Sequence, residues 1–374
     1  MTTIGSGPVR EAQDETADAV HAARSGAAAP FARSGVAAIL AGRRARRRRR
    51  MVASVTLGIL LLATFVVALM VGNTFYGLDE IIPVIFGQTV PGASFTVGEL
   101  RLPRSVLAVL AGLAFGIAGV TFQTLLRNPL ASPDIIGISH GAGAAAVVGI
   151  IVLSLDGPLV SLLALGGALL TAAVIYLLSN KGGFAGTRLI LIGIGVAAML
   201  QSVISYLLSR AASWDIQTAM QWLTGSLGNA SWERVLPLAV AAAITVPLML
   251  LQSRSLSAMQ LGDDSASGLG VRVNLARVLL IVGAVTLLAF ATAAAGPIAF
   301  VAFMAGPIAA RLTGPDSNLL IPAGLVGALL VLGGDLIGQF ALGARYPVGV
   351  VTGVLGAPYL IYLLIRTNRS GGSL

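Results

Sequence analysis

Residues Glu99 to Gly143 read ELRLPRSVLAVLAGLAFGIAGVTFQTLLRNPLASPDIIGISHGAG, and the fold class follows from how this stretch divides. Ser105 to Leu126 holds no charged residue. At about 1.5 Å rise per residue, a helix over it crosses a hydrocarbon core roughly 30 Å thick. Within it Gly112 and Gly116 form a GxxxG pair, with Gly119 close by, so one face lets a neighbouring helix approach backbone to backbone. A lone anchor has no use for such a face. Next comes Arg127-Asn128-Pro129-Leu130-Ala131-Ser132-Pro133-Asp134, where both prolines disfavour helix in the residue before them and short polar side chains reach free backbone groups. The stretch predicts a membrane crossing, a built corner, and a return.

Composition agrees along the whole chain. Of 374 residues, 56 % are hydrophobic and 10 % charged, against about 25 % charged in soluble domains, and the mean hydropathy is +0.90. This excludes a soluble globule and predicts a polytopic, all-α membrane protein. The net charge of +9 suggests a nucleic-acid partner, but seven arginines, Arg43, Arg44 and Arg46 to Arg50, sit together directly before the first apolar run. The positive-inside rule accounts for that cluster without nucleic acid. There is no cysteine, hence no disulfide, thiolate metal site or thiol catalysis.

Apolar runs predict ten spans: Met51 to Gly72, Ser105 to Leu126, Ile135 to Leu155, Leu159 to Leu178, Leu189 to Leu208, Val235 to Leu251, Val278 to Ala294, Ile298 to Leu312, Leu319 to Ala341 and Val348 to Ile365. Residues 1–50 read as a disordered cytoplasmic tail ending in the arginine cluster, 51–366 as the membrane domain, and 367–374 as a cytoplasmic C-terminal tail. The first run is longer than a signal-peptide core and no A-x-A site follows it, so it reads as a retained span. With both termini inside, the inner loops hold the cluster, Arg127, Lys181, Arg188, Arg254, Arg272, Arg277 and Arg311. The outer loops hold Asp79, Glu80, Glu99, Asp156, Asp215 and Glu233. Arg101, Arg104, Arg210 and Arg345 lie on the outer side and need a reason of their own. Between the fifth and sixth spans, Ala212 to Trp232 carries three tryptophans among polar residues, which suits an amphipathic helix at the outer interface.

From about Met51 to the C-terminus the chain resembles the FecCD-type permeases of binding-protein-dependent ABC importers for ferric siderophores and vitamin B12. The blocks that carry the resemblance are LRLPR, the NPLASP corner and the IGISHGAG helix, in that order. Further on come LGDDSASGLG, GPIAFVAFMAGPIAARL and PVGVVTGVLGAPYLIYLLIRTNR. The last two of these favour the ferric enterobactin branch, since Pro307 in the first of the pair replaces a histidine at which that branch varies and the C-terminal block matches the same branch. The resemblance implies a type II ABC importer fold like that of the B12 importer, in the bacterial cytoplasmic membrane. Its implied partners are a second permease subunit, identical or related, a cytoplasmic ABC ATPase that binds ATP and magnesium, and an extracytoplasmic siderophore-binding protein. No GxxxxGK[ST] occurs here, so ATP hydrolysis belongs to another chain and this one is not an enzyme.

The resemblance also assigns residues. Arg101 and Arg104 are to receive an acidic side chain of the binding protein, with Pro103 starting the helix behind them. Gln339 stands where the family has a third arginine, and Arg345 is the candidate replacement. Leu261, Gly262, Asp263, Asp264, Ala266, Leu269 and Gly270 match the loop that couples to the ATPase; Asp263 or Asp264 is expected to cap its short helix and Gly270 to end it. Asn128 and Leu130 match one inner gate, Gly186 and Thr187 fall at a second, and Gln201 is expected to line the pathway. Each assignment has a plainer alternative: snorkelling or pairing with Glu99 for the arginines, a loop tied to its own spans for the coupling segment. Asp335, the one acid well inside a span, has no basic partner in mid-span. It reads as a helix-packing hydrogen bond or, in a rival interpretation, as the ion site of a secondary transporter. A non-transporting scaffold is a further alternative. His21 lies in the tail and His140 stands alone, so no set of hard ligands for bare ferric iron is expected, and the expected cargo is a wrapped iron chelate, with vitamin B12 as the alternative.

Overall fold

The computed structural model describes residues 40–132, 136–179, 186–314 and 318–369, with the backbone alone for 366–369. Pro133, Asp134, Lys181 and most of both predicted tails therefore lie outside the described residues. The chain divides into a short unit, Met1–Val52, and a large one, Ala53–Leu374. In the short unit the described residues are helical and carry the arginine cluster almost wholly exposed. The described residues are helices and connections without a strand. All ten predicted spans are helical: eight are long and apolar enough to cross a membrane and two are shorter.

In chain order the helices are α1 (Leu40–Met70), α2 (Leu78–Ile85), α3 (Ser94–Leu125), α4 (Ile138–Val152), α5 (Gly157–Ser179), α6 (Gly186–Arg210), α7 (Ser213–Leu223) and α8 (Trp232–Leu251). There follow α9 (Ser253–Met259), α10 (Asp263–Gly268), α11 (Val273–Ala295), α12 (Val301–Thr313), α13 (Leu320–Phe340) and α14 (Val348–Arg369). Several boundaries differ from expectation. The first helix begins at Leu40 and not at Met51, so the arginine cluster is helical and continuous with the first span, where an unstructured tail was expected. The second span starts at Ser94, because a π-helical segment, Ser94–Arg101, runs directly into the α-helix, and Pro103 lies in the first turn of the α-helical part, not at the start of the whole span. The tryptophan-rich segment is helical only over Ser213–Leu223. The polar segment after α8 is two short helices and not one.

The axis of the bundle is α3. Over its most apolar stretch 78 % of residues are buried, against 17 % for α1. Lipid gives apolar side chains no reason to leave it, so close backbone packing has to hold such helices together. The glycine face does this: a Cβ at Gly112 would run into the backbone of Gly327 and Ala328, one at Gly116 into Ala323, and one at Gly119 into Ala302. Thus α3 lies backbone to backbone against α13 and α12. On α14, Gly349 packs tightly on Thr224, whereas nothing lies near Gly353.

The shortest spanning element, α12, contains Pro307, which has no N–H to give to the carbonyl of Phe303 one turn back. The amide Nε2 of Gln123 on α3 donates to that oxygen at 2.9 Å instead. Gly306 leaves the room for it, since a Cβ there would collide with Gln123 Oε1. One buried glutamine therefore replaces the hydrogen bond that proline removes.

Candidate functional site

Two ends of α3 and the space beside it hold the predicted site residues. At its N-terminal end, Arg101 donates from Nη1 to the carbonyls of Leu69 (2.8 Å) and Met70 (2.9 Å) and from Nη2 to that of Thr74 (2.5 Å). Leu69 and Met70 end α1 and Thr74 follows it, and a cation suits the carbonyls at a helix C-terminus; the guanidinium also stacks 5.0 Å over the ring of Tyr76. One turn on, Arg104 makes a two-pronged pair with Asp335 of α13: Nε to Oδ2 and Nη2 to Oδ1, both 2.8 Å. The Asp335 side chain is 4 % exposed, and Gln339 donates to its Oδ2 at 2.7 Å. Arg345 donates to Asn73 Oδ1 at 2.8 Å. All three arginines, Asp335 and Gln339 line one cavity of about 470 Å³.

This corrects two expectations. Asp335 does have a basic partner, Arg104, reached from another helix, and the acid that Arg104 meets is not Glu99. A carboxylate held by an arginine and an amide is a packing device, and the pairing argues against an ion-carrying Asp335. Gln339 completes that network, while Arg345 extends from the next loop into the same cavity. Three guanidinium groups against one carboxylate leave it positive.

At the other end of α3, Arg127 stands at φ +50 immediately after the helix. Its Nε donates to the Met259 carbonyl (3.1 Å) and its Nη2 to Asp263 Oδ1 (2.7 Å). The buried Arg277 of α11 donates to the second oxygen, Oδ2, at 2.5 Å. Asp263 thus bridges the corner and the base of α11, and it does not cap α10. The N-cap is Gly262, without a side-chain bond, and Asp264 makes none in its place. Gly270, at φ +82, follows the helix and donates to Ser267 O at 2.9 Å. Ala266 is fully buried, whereas Leu261 and Leu269 are each 68 % exposed and flank the exposed Asp264. A short helix pinned by Asp263 and Ala266 and flanked at each end by an exposed leucine suits docking on a partner.

Between these ends lies a cavity of about 760 Å³ whose lining includes Leu130, Gln201, Phe300 and Phe303 and no charged residue. It brings Leu130 and Gln201 to one cavity, and also His140, which carries no expected role in the sequence. The remaining predicted gate residues do not line it. The Asn128 carboxamide accepts from Leu130 N (2.8 Å), an Asx turn that shapes the corner, and its side chain borders a separate cavity of about 240 Å³ beside Pro307. Gly186 packs on Leu126 and Thr187 is exposed. Gln123 was the other omission; a lone amide in an apolar run facing a Gly-Pro step was its signal. Among the described residues no three His, Cys, Asp or Glu side chains come together as a metal site.

The sequence profile described as the FecCD transport family matches residues 60–366. The ferric enterobactin transport system permease protein of Escherichia coli (strain K12) is 39 % identical over 78 % of this chain and 88 % of its own length. The achromobactin transport system permease protein of Dickeya dadantii (strain 3937) is 37 % identical over 90 % of this chain and 99 % of its own. A metal-chelate type ABC transporter solved in an inward-facing conformation superposes with a TM-score of 0.72 at 26 % identity, covering 84 % of this chain and 98 % of that one.

Proposed function

Since this chain belongs to the FecCD transport family, it is a multi-pass membrane permease and not an enzyme, and we propose that it imports a ferric siderophore as an intact complex. The observation that carries the cargo is the 760 Å³ cavity without a charged lining residue. Bare ferric iron needs several hard ligands converging on one point. A bulky chelate brings its own ligands and passes best along a surface that offers no strong site to hold it. The names of the relatives point to the same class of cargo, with enterobactin and achromobactin transport as examples.

In this reading the permease pairs with a second copy or a related subunit. The arginine-lined cavity faces the outside and receives an acidic side chain of the siderophore-binding protein on Arg101, Arg104 or Arg345. The surface of Leu261, Asp264 and Leu269, held in place by Asp263 and Ala266 and bounded by Gly262 and Gly270, enters an ATPase that binds ATP and magnesium. Both termini, the tail of residues 1–50 and that of 367–374, lie in the cytoplasm of the bacterial cell. Asn128, Gly186 and Thr187 act on the inner gate through the shape of the corner, not as lining. Supplying vesicles with a ferric siderophore carrying different isotopes in metal and chelator tests the cargo. Both labels should enter at one ratio; metal without chelator, or preference for the free ion, overturns it.

A further inference from the structure

The 760 Å³ cavity has five polar side chains in its lining, and they fall into two kinds. Ser132 and Ser139 have interactions of their own, and the Thr224 hydroxyl donates to Gln221 O at 2.9 Å. His140 and Gln201 make no hydrogen bond to any described residue. Nδ1 of His140 is shut away from solvent without a partner. A proton there would be a buried donor lacking an acceptor, so the neutral ring carries its proton on Nε2. Nε2 is not among the buried unpartnered atoms, so it is not shut away as Nδ1 is, and on a residue that lines the cavity it is the ring's N–H donor. Gln201, exposed on α6, presents an amide.

We propose that His140 and Gln201 form a two-point hydrogen-bonding site for the metal-binding oxygen atoms of the cargo, and that this pair sets which iron chelates the permease passes. The proposal rests on the cargo reading above. The size fits, since ligand cavities run from about 300 to 1,000 Å³. So does the chemistry, because the oxygens of catecholates, hydroxamates and carboxylates accept hydrogen bonds, while neutral donors in an uncharged wall orient such a ligand without trapping it. Specificity from a few placed polar groups in an apolar cavity is the usual arrangement.

The test uses vesicles holding the complete transporter, with saturating binding protein and iron-55 complexes of a tricatecholate, a trihydroxamate and citrate. Maximal uptake rates, ATPase rates and assembly are measured for His140→Leu, His140→Gln, His140→Asn and Gln201→Leu. Loss of one hydrogen bond predicts uptake about three- to tenfold slower in either leucine variant, with the ratios among the three complexes changed at least about threefold. The glutamine amide nitrogen reaches the position of Nε2, so His140→Gln restores rate and ratios; the shorter Asn reaches only that of Nδ1 and does not. Unchanged ratios in both leucine variants, or equal rates for His140→Gln and His140→Asn, overturn the proposal. If leucine prevents assembly, the Gln and Asn pair alone decides in the same way. Failure of every iron complex to enter with the unaltered transporter overturns the cargo reading instead.

Discussion

The two ends of α3 carry the same chemistry, arginine on aspartate between distant helices, in opposite surroundings. Asp335 is 4 % exposed and takes a two-pronged arginine; Asp263 is 48 % exposed and is shared by Arg127 and Arg277. A buried carboxylate that loses its partner costs several kcal/mol, whereas an exposed pair contributes little. The first network therefore holds the bundle together, and the second holds a surface feature at a set position. Arg104 is tied to the bundle by this pair, so of the three arginines proposed for docking, Arg345, on an exposed loop, is the cleanest probe.

The largest expected effect follows from that contrast. Arg104→Ala leaves Asp335 buried and unpaired beside Gln339, and should cost about 3–5 kcal/mol, read as a lowered thermal midpoint of the purified protein in detergent. Adding Asp335→Leu should recover most of it. Additive losses in the double variant would mean that the pair is not the source of the stability.

Next in size is the proline repair, buried in the last turn of α3. Gln123→Leu strips the Phe303 carbonyl of its replacement donor and should destabilise by about 1–3 kcal/mol. Combining it with Pro307→Ala, which returns a backbone N–H to that carbonyl, should be milder than Gln123→Leu alone. A double variant worse than the single one breaks the assignment.

At the corner end, Asp263→Ala should cost at most about 1 kcal/mol for the exposed Arg127 contact, with a further and larger loss at the buried Arg277, whose Nη2 loses its carboxylate. Its main effect should appear in coupling: ATP hydrolysis continues while uptake per ATP falls. A loss of stability as large as that of Arg104→Ala would erase the contrast between the two networks.

The smallest structural effect is expected at Arg345→Glu, whose one bond is to the exposed Asn73 side chain. Stability should stay within about 0.5 kcal/mol, while association with the binding protein slows roughly tenfold at low salt and less at high salt. Salt-independent association identical to that of the unaltered protein would remove Arg345 from the docking surface.

Much of this was legible in the chain. A charge-free run bracketed by arginines, a GxxxG face and a proline corner announce a packed membrane helix, because lipid enforces apolarity, helical hydrogen bonding and small residues at contacts. Gly112 and Gly116 meet another helix as their spacing requires, and Gly270 ends its helix as a left-handed C-cap. What stayed hidden was pairing. Arg104 and Asp335 are 231 residues apart and Arg127 and Asp263 are 136 apart, and no periodicity relates such positions.

By itself the sequence determined that this is a polytopic helical membrane protein, where its helices run, and to which family it belongs, since each depends on local composition and contiguous blocks. Only the tertiary structure decided that Asp335 is a strut and Asp263 a bridge. It also decided that Gln123 repairs the break at Pro307, and that His140 and Gln201 share one cavity. Those roles depend on which surfaces of separate helices come into contact, and that is set by the packing of the whole bundle around α3.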